Sequence, residues 1–111
     1  MSDTADNTAR HRLTSVRRWV IKVGSALLTN DGLGLDPLVM KTLTRQLASL
    51  HALGHEVVLV SSGAVAAGAV RLGFEDRPED LHSLQAAAAV GQSALIRSYE
   101  EALAPQGVTT A

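Results

Sequence analysis

The chain has 111 residues and a mass of 11.6 kDa, room for one compact domain or part of one and not for two. A hydrophobic share of 46% is ordinary for a globular unit and excludes a wholly disordered chain. Ten Lys and Arg against 11 Asp and Glu give a net charge of -1, with no broad positive field for nucleic acid or an anionic membrane. No cysteine is present, so a disulfide framework, a thiolate nucleophile and a sulfur-ligated metal are all excluded, and 3% aromatics leave few candidates for base stacking. No apolar run reaches the roughly 18 residues that suggest a membrane span, and a near-neutral chain free of disulfides and of an export signal reads as cytoplasmic.

Residues 1–17 are polar, mix Asp3 and Asp6 with Arg10, Arg12 and Arg17, and show no helical or strand periodicity, so they are expected to be a flexible lead-in. The acids and the missing apolar stripe argue against an organelle transit peptide. Trp19-Val20-Ile21-Lys22-Val23 is a short, β-branched, almost continuous apolar run, the pattern of a strand covered on both faces, and Gly24 ends it.

Asn30-Asp31-Gly32-Leu33-Gly34 is turn chemistry. Asp36-Pro37 then offers a side-chain acceptor at an N-cap and proline at the first helical position. Val39, Leu43, Leu47 and Leu50 line one face of the helix that follows, and Gly54 stops it with His51 in its last turn.

Glu56 leads into Val57-Val58-Leu59-Val60, a second buried-strand pattern, and Ser61-Ser62-Gly63 opens an Ala-rich helix expected to close near Gly73. Strands joined by a helix in this way are expected to be parallel. Pro78-Glu79-Asp80 predicts another helix, with Leu81, Leu84, Ala88, Gly91, Leu95 and Tyr99 on its apolar stripe. Ala86 to Ala89 mark a place where it packs closely on a neighbour. Pro105-Gln106-Gly107 breaks this helix, and Val108-Thr109-Thr110 reads as the start of a third strand, which suggests the front part of a longer sheet protein.

Ligands of an open parallel sheet bind beyond the carboxyl ends of the strands. Two loops follow strands directly, Lys22-Val23-Gly24-Ser25-Ala26 and Ser61-Ser62-Gly63-Ala64, so both are expected on one sheet edge. The second also opens a helix, whose free N–H groups suit an anion, and glycine at 24 and 63 permits close approach to the backbone. Lys22 reads two ways: it snorkels from the end of an apolar strand, or its ammonium reaches a phosphate. Ser62 likewise reads as a simple N-cap or as a ligand contact.

Other motifs fail. Gly63 to Gly68 has P-loop glycine spacing but lacks the lysine. Gly32-Leu33-Gly34 lacks the third glycine of a dinucleotide fingerprint and does not open from a strand. His51 and His55 have the spacing of metal ligands, yet Gly54 lies between them with no third ligand near, and no residue is assigned to a metal. Scattered histidines at 11, 51, 55 and 82 support no catalytic triad.

At Trp19-Val-Ile-Lys-Val-Gly-Ser25 with Leu27-Leu28-Thr29, Val60-Ser-Ser-Gly-Ala-Val-Ala-Ala-Gly68 and Leu84-Gln-Ala-Ala-Ala-Ala-Val-Gly-Gln92, the sequence resembles the amino-acid kinase family over about Arg18 to Ala111. The last two blocks resemble its glutamate branch in particular. The resemblance implies a three-layer αβα sandwich on a parallel sheet, of which residues 18–111 are the first, incomplete part. It also implies transfer of the γ-phosphoryl of ATP, with Mg2+, to the side-chain carboxylate of L-glutamate as the opening step of proline biosynthesis.

By the same resemblance, Lys22 contacts the phosphates as a catalytic residue, Gly24 and Ser25 lie near the transferred group, and Ser62, Gly63 and Ala64 hold glutamate. Ala26 departs from the pattern, since many members carry a hydroxyl there. The residues expected to bind most of the nucleotide and Mg2+, and the RNA-modification-type domain of many members, are not matched in this chain. It is therefore expected to lack appreciable kinase activity alone and to form a homo-oligomer at full length. The alternatives are another small-acid kinase of the family and a non-catalytic module that binds an anion or an oligomer partner.

Overall fold

A computed structural model describes residues 2–111, with side chains described from Asn7 onward. The elements in chain order are α1 (Ser2–Thr14), β1 (Arg18–Val23), α2 (Ser25–Leu28), α3 (Pro37–Ala52), β2 (Glu56–Ser61), α4 (Ala64–Arg71), α5 (Leu81–Leu103) and a 3-10 turn at Ala104–Gln106. The class is α/β, as the strand and helix signals imply. The two strands form one parallel sheet, in a register that runs from Arg18 opposite Glu56 to Val23 opposite Ser61.

Helix α3 starts where the sequence places it. The amides of Leu38 and Val39 donate to Asp36 Oδ1 at 3.0 and 3.4 Å, which satisfies two of the N–H groups that a helix start leaves without partners. Its C-terminus is turned by Gly54 at φ +91°, a left-handed conformation that suits glycine. The buried face is rotated slightly from the expected one: Met40, Thr44, Leu47 and Ala48 are buried, whereas Val39, Leu43 and Leu50 are half-buried. Buried Thr44 turns its hydroxyl back to the Met40 carbonyl at 2.8 Å, so no unpaired polar group is left on the apolar stripe.

The core joins Val23, Leu28, Met40, Leu95 and Tyr99, flanked by Ile21, Leu35, Val39, Leu43, Leu59 and Ala64. Helices α3 and α5 therefore cover the sheet face that carries Ile21, Val23 and Leu59. The opposite face is open: Val20, Val58 and Val60 are 60%, 45% and 47% exposed, and Lys22 is exposed beside them. This corrects the expectation of strands covered on both faces. Among the described residues the second helical layer of a three-layer sandwich is not built, because the alternate residues of both strands meet no covering element.

Three boundaries also differ from expectation. Residues 2–14 of the lead-in, for which no periodicity predicted a helix, are helical as α1. Its described side chains, Asn7 to Thr14, are all exposed. Arg12 in its last turn suits the negative end of the helix dipole. Helix α5 begins at Leu81 rather than at Pro78, because Asp80 accepts the Ser83 amide at 2.9 Å as the N-cap. Its stripe is Ala87, Gly91, Leu95, Tyr99 and Leu103, while Leu81 is exposed. Val108-Thr109-Thr110 forms no strand; after the Val108 amide bonds the Leu103 carbonyl at 3.3 Å, these residues join no ladder.

Helices α4 and α5 cross with almost no separation. A Cβ built on Gly68 would lie 1.7 Å from the Ala87 carbonyl oxygen, and one on Gly91 would lie 1.6 Å from that of Ala64. Both obstacles are backbone, so neither can swing aside. Gly91→Ala is expected to destabilise the fold by more than about 3 kcal/mol, above the usual cost of overpacking. Removal of the Asp36 cap in Asp36→Ala is expected to cost about 1 kcal/mol. Urea unfolding of the two variants checks both values.

Candidate functional site

The two loops named from the sequence meet at the carboxyl edge of the sheet. Val23 is the last residue of β1, and its carbonyl accepts the Ser62 amide at 2.9 Å, one step beyond the Val23–Ser61 register pair. Gly24-Ser25 and Ser62-Gly63 thus leave the sheet side by side. Lys22 lies one residue back, opposite Val60, on the open face. Its ammonium makes no hydrogen bond or ion pair with the described residues, and its neighbours on that face are valines. Of its two readings, an end-of-strand lysine with a free head group describes the geometry, and that head group is available to an anion.

The two glycines have different causes. Gly24 sits at φ -79° with no atom within 4 Å of a Cβ built on it. Neither its conformation nor its surroundings demand glycine, so the space before this peptide is open to a ligand. Gly63 sits at φ +112°, and an added Cβ would lie 3.2 Å from Leu35 and 3.3 Å from Leu28. Fold geometry alone requires glycine there, because the missing side chain faces the core.

Ser62 is not the N-cap of α4. That place belongs to Gly63, which provides no side-chain cap, and the first helical bond runs from the Ala67 amide to the Gly63 carbonyl at 3.0 Å. The amides of Ala64 and Val65 therefore precede the hydrogen-bonded part of the helix, as donors at its positive end. The hydroxyl of exposed Ser62 has no partner among the described residues. The N-cap reading of this serine is thereby removed. Ser25 opens α2, and its carbonyl accepts both the Thr29 amide at 3.0 Å and the Thr29 hydroxyl at 2.6 Å. Its own hydroxyl is unused.

Two residues of the site were not singled out from the sequence. The Tyr99 hydroxyl lies 2.7 Å from Ser61 Oγ, and Ser61 Oγ donates to the Ser62 carbonyl at 2.8 Å. A serine hydroxyl has one hydrogen, and here it points at Ser62. Tyr99 must therefore be the donor in the other bond. The signal was present in part, since a tyrosine on a buried stripe needs a partner for its hydroxyl.

Among the described residues no group of three or more His, Asp or Glu can hold a metal ion, and no helix is long and apolar enough to cross a membrane. The His55 ring packs perpendicular to that of Trp19, with centroids 6.1 Å apart.

A parallel sheet with helices on one face, whose carboxyl edge gathers two short loops and the start of a helix beside an exposed lysine, defines an α/β domain. The chain belongs to the amino acid kinase family, which matches residues 17–111. Its similar proteins include the glutamate 5-kinase of Saccharophagus degradans, 58% identical over 92% of this chain and 27% of that protein. Those of Azoarcus sp. strain BH72 and Pseudomonas paraeruginosa are each 54% identical over 92% of this chain, and over 28% and 27% of their own lengths. The chain thus spans little more than a quarter of these curated relatives.

Burial raises the Tyr99 phenol above its ordinary value of 10.0. The folded state therefore holds this proton more tightly than the unfolded state does. The associated stability is present below the unfolded value and is lost as pH rises through the folded one. Tyr99 is the only tyrosine, so its phenolate absorbance reports it directly. The titration midpoint is expected above 10 in the folded chain and at the ordinary value in urea. A Tyr99→Phe variant is expected to lose less stability than the parent above pH 10.

Proposed function

We propose that residues 18–111 are the opening part of a glutamate 5-kinase domain, which transfers the γ-phosphoryl of ATP to the side-chain carboxylate of L-glutamate. The observation that carries this reading is the Ser62 amide bond to Val23. It aligns the carboxyl ends of the two strands, with a free lysine near the end of β1 and a free serine hydroxyl on the loop that follows β2. The names of the similar proteins support the substrate, and their length supports reading the open valine face as the seat of a further layer of the domain.

The chemistry fits these groups. A carboxylate is already an anion at neutral pH and needs no general base, so the obstacle is the approach of one anion to another. Catalysis is then positioning and charge neutralisation. A carboxylate oxygen forms a bond to the γ-phosphorus as the bond from phosphorus to the bridging oxygen breaks, and ADP leaves. Magnesium-ATP supplies the phosphoryl group.

In this reading Lys22 offsets negative charge on the phosphates. The open space before Gly24 and the hydroxyl of Ser25 receive the transferred group. Ser62, with the backbone of Gly63 and Ala64, binds glutamate through a hydroxyl and helix-start amides. The described residues supply no cation cluster, so no step is assigned to a metal held by them.

Two substitutions in the complete kinase test these roles. Lys22→Ala is expected to lower kcat by about 100-fold or more with the fold retained, as loss of a charge-stabilising donor does. Ser62→Ala is expected to raise the glutamate KM by about tenfold with the ATP KM unchanged. Steady-state kinetics with each substrate varied in turn checks both, and a shift in the ATP KM alone would reverse the loop assignment.

A further inference from the structure

The Ser61-Ser62-Gly63 loop is held from two sides by groups outside it. On one side the Ser62 amide donates to the Val23 carbonyl of β1 at 2.9 Å. On the other, the Tyr99 hydroxyl of α5 donates to Ser61 Oγ at 2.7 Å, and Ser61 Oγ donates to the Ser62 carbonyl at 2.8 Å. Both peptide groups that flank the Ser62 Cα are thereby fixed, and rotation about its own side-chain bond is the main freedom left to Ser62. Tyr99 is 7% exposed and belongs to the main core with Val23 and Leu28, so the donor is mounted on a rigid part of the molecule. The Ser62 carbonyl also sets the plane of the Ser62–Gly63 peptide. That plane leads directly into the left-handed Gly63 and the free amides at the start of α4.

We propose that Tyr99 is a positioning residue for substrate binding. It acts through Ser61 to lock the Ser62–Gly63 peptide, so that the Ser62 hydroxyl and the first amides of α4 face one carboxylate. The proposal rests on the glutamate kinase reading and adds to it a residue that touches no substrate. Tyr99 is 37 positions from Ser62 in sequence and reaches it only through the Ser61 side chain.

Two measurements on Tyr99→Phe and Ser61→Ala test it. In the 111-residue chain, amide hydrogen exchange at Ser62 is expected to accelerate about fivefold or more in either variant, the effect of losing one hydrogen bond, while exchange at Ile21 in mid-strand is unchanged. In the complete kinase, each variant is expected to raise the glutamate KM by about fivefold with the ATP KM unaltered. The double variant is expected to be no worse than either single one, since both break the same relay.

Unaltered exchange at Ser62 overturns the locking role whatever the substrate. Accelerated exchange with an unaltered glutamate KM overturns the positioning role and leaves Tyr99 as a purely structural residue, even if the melting temperature falls. A kinase that shows no glutamate-dependent turnover before substitution, with exchange still accelerated in Tyr99→Phe, overturns the glutamate kinase reading and the assigned ligand, while the relay itself stands.

Discussion

The hydrogen bond from the Ser62 amide to the Val23 carbonyl is the last rung between the two halves of the molecule, and the arrangement of the site depends on it. Parallel strands can slide by two residues without changing which side chains face the core, so register alone does not align their ends. Here the register pairs Val23 with Ser61, and the extra rung carries the alignment one residue into the loops. At the far end, Arg18 and Glu56 repeat the same register with an ion pair at 2.6 Å. Both partners are well exposed, so this pair adds little stability and serves the alignment more than the energy.

Behind the edge, α4 and α5 are fixed by the absence of side chains. Gly68 and Gly91 each press against the backbone of the opposing helix, at Ala87 and Ala64 respectively. A crossing this close leaves few alternative angles. The start of α4, which carries the free amides, is therefore set by α5, and α5 also carries Tyr99. One helix thus determines both the direction of the helix-start donors and the loop that precedes them.

Much of this was legible in the sequence. Asp36-Pro37, Gly54 and Gly73 marked helix ends by backbone chemistry that depends on a few adjacent residues. Trp19-Val23 and Val57-Val60 marked strands and, with a helix between them, parallel pairing. The placement of both loops at one edge followed from that topology. What was not legible depended on distant parts of the chain. The valine-rich strands read as covered on both faces, whereas only alternate residues meet a helix, and Lys22 among the valines was the one cue to the open side. Ser62 read first as an N-cap because the one-residue displacement to Gly63 depends on a left-handed φ that composition does not reveal. Tyr99 was recognised as a stripe residue and not as a loop anchor, because its partner Ser61 lies 38 positions away.

Trp19 and Tyr99 are the chain's only tryptophan and tyrosine, and the fold assigns them to opposite ends of the same sheet. Trp19 lies near the start of β1 against His55, remote from the loops. Tyr99 bonds the last residue of β2. Each optical signal thus has a single source: indole emission reports the integrity of the sheet from its amino end, and phenol absorption reports the state of the loop at its carboxyl end. The protein carries its own pair of built-in probes, which separate loss of the fold from disturbance of the binding edge without any introduced label.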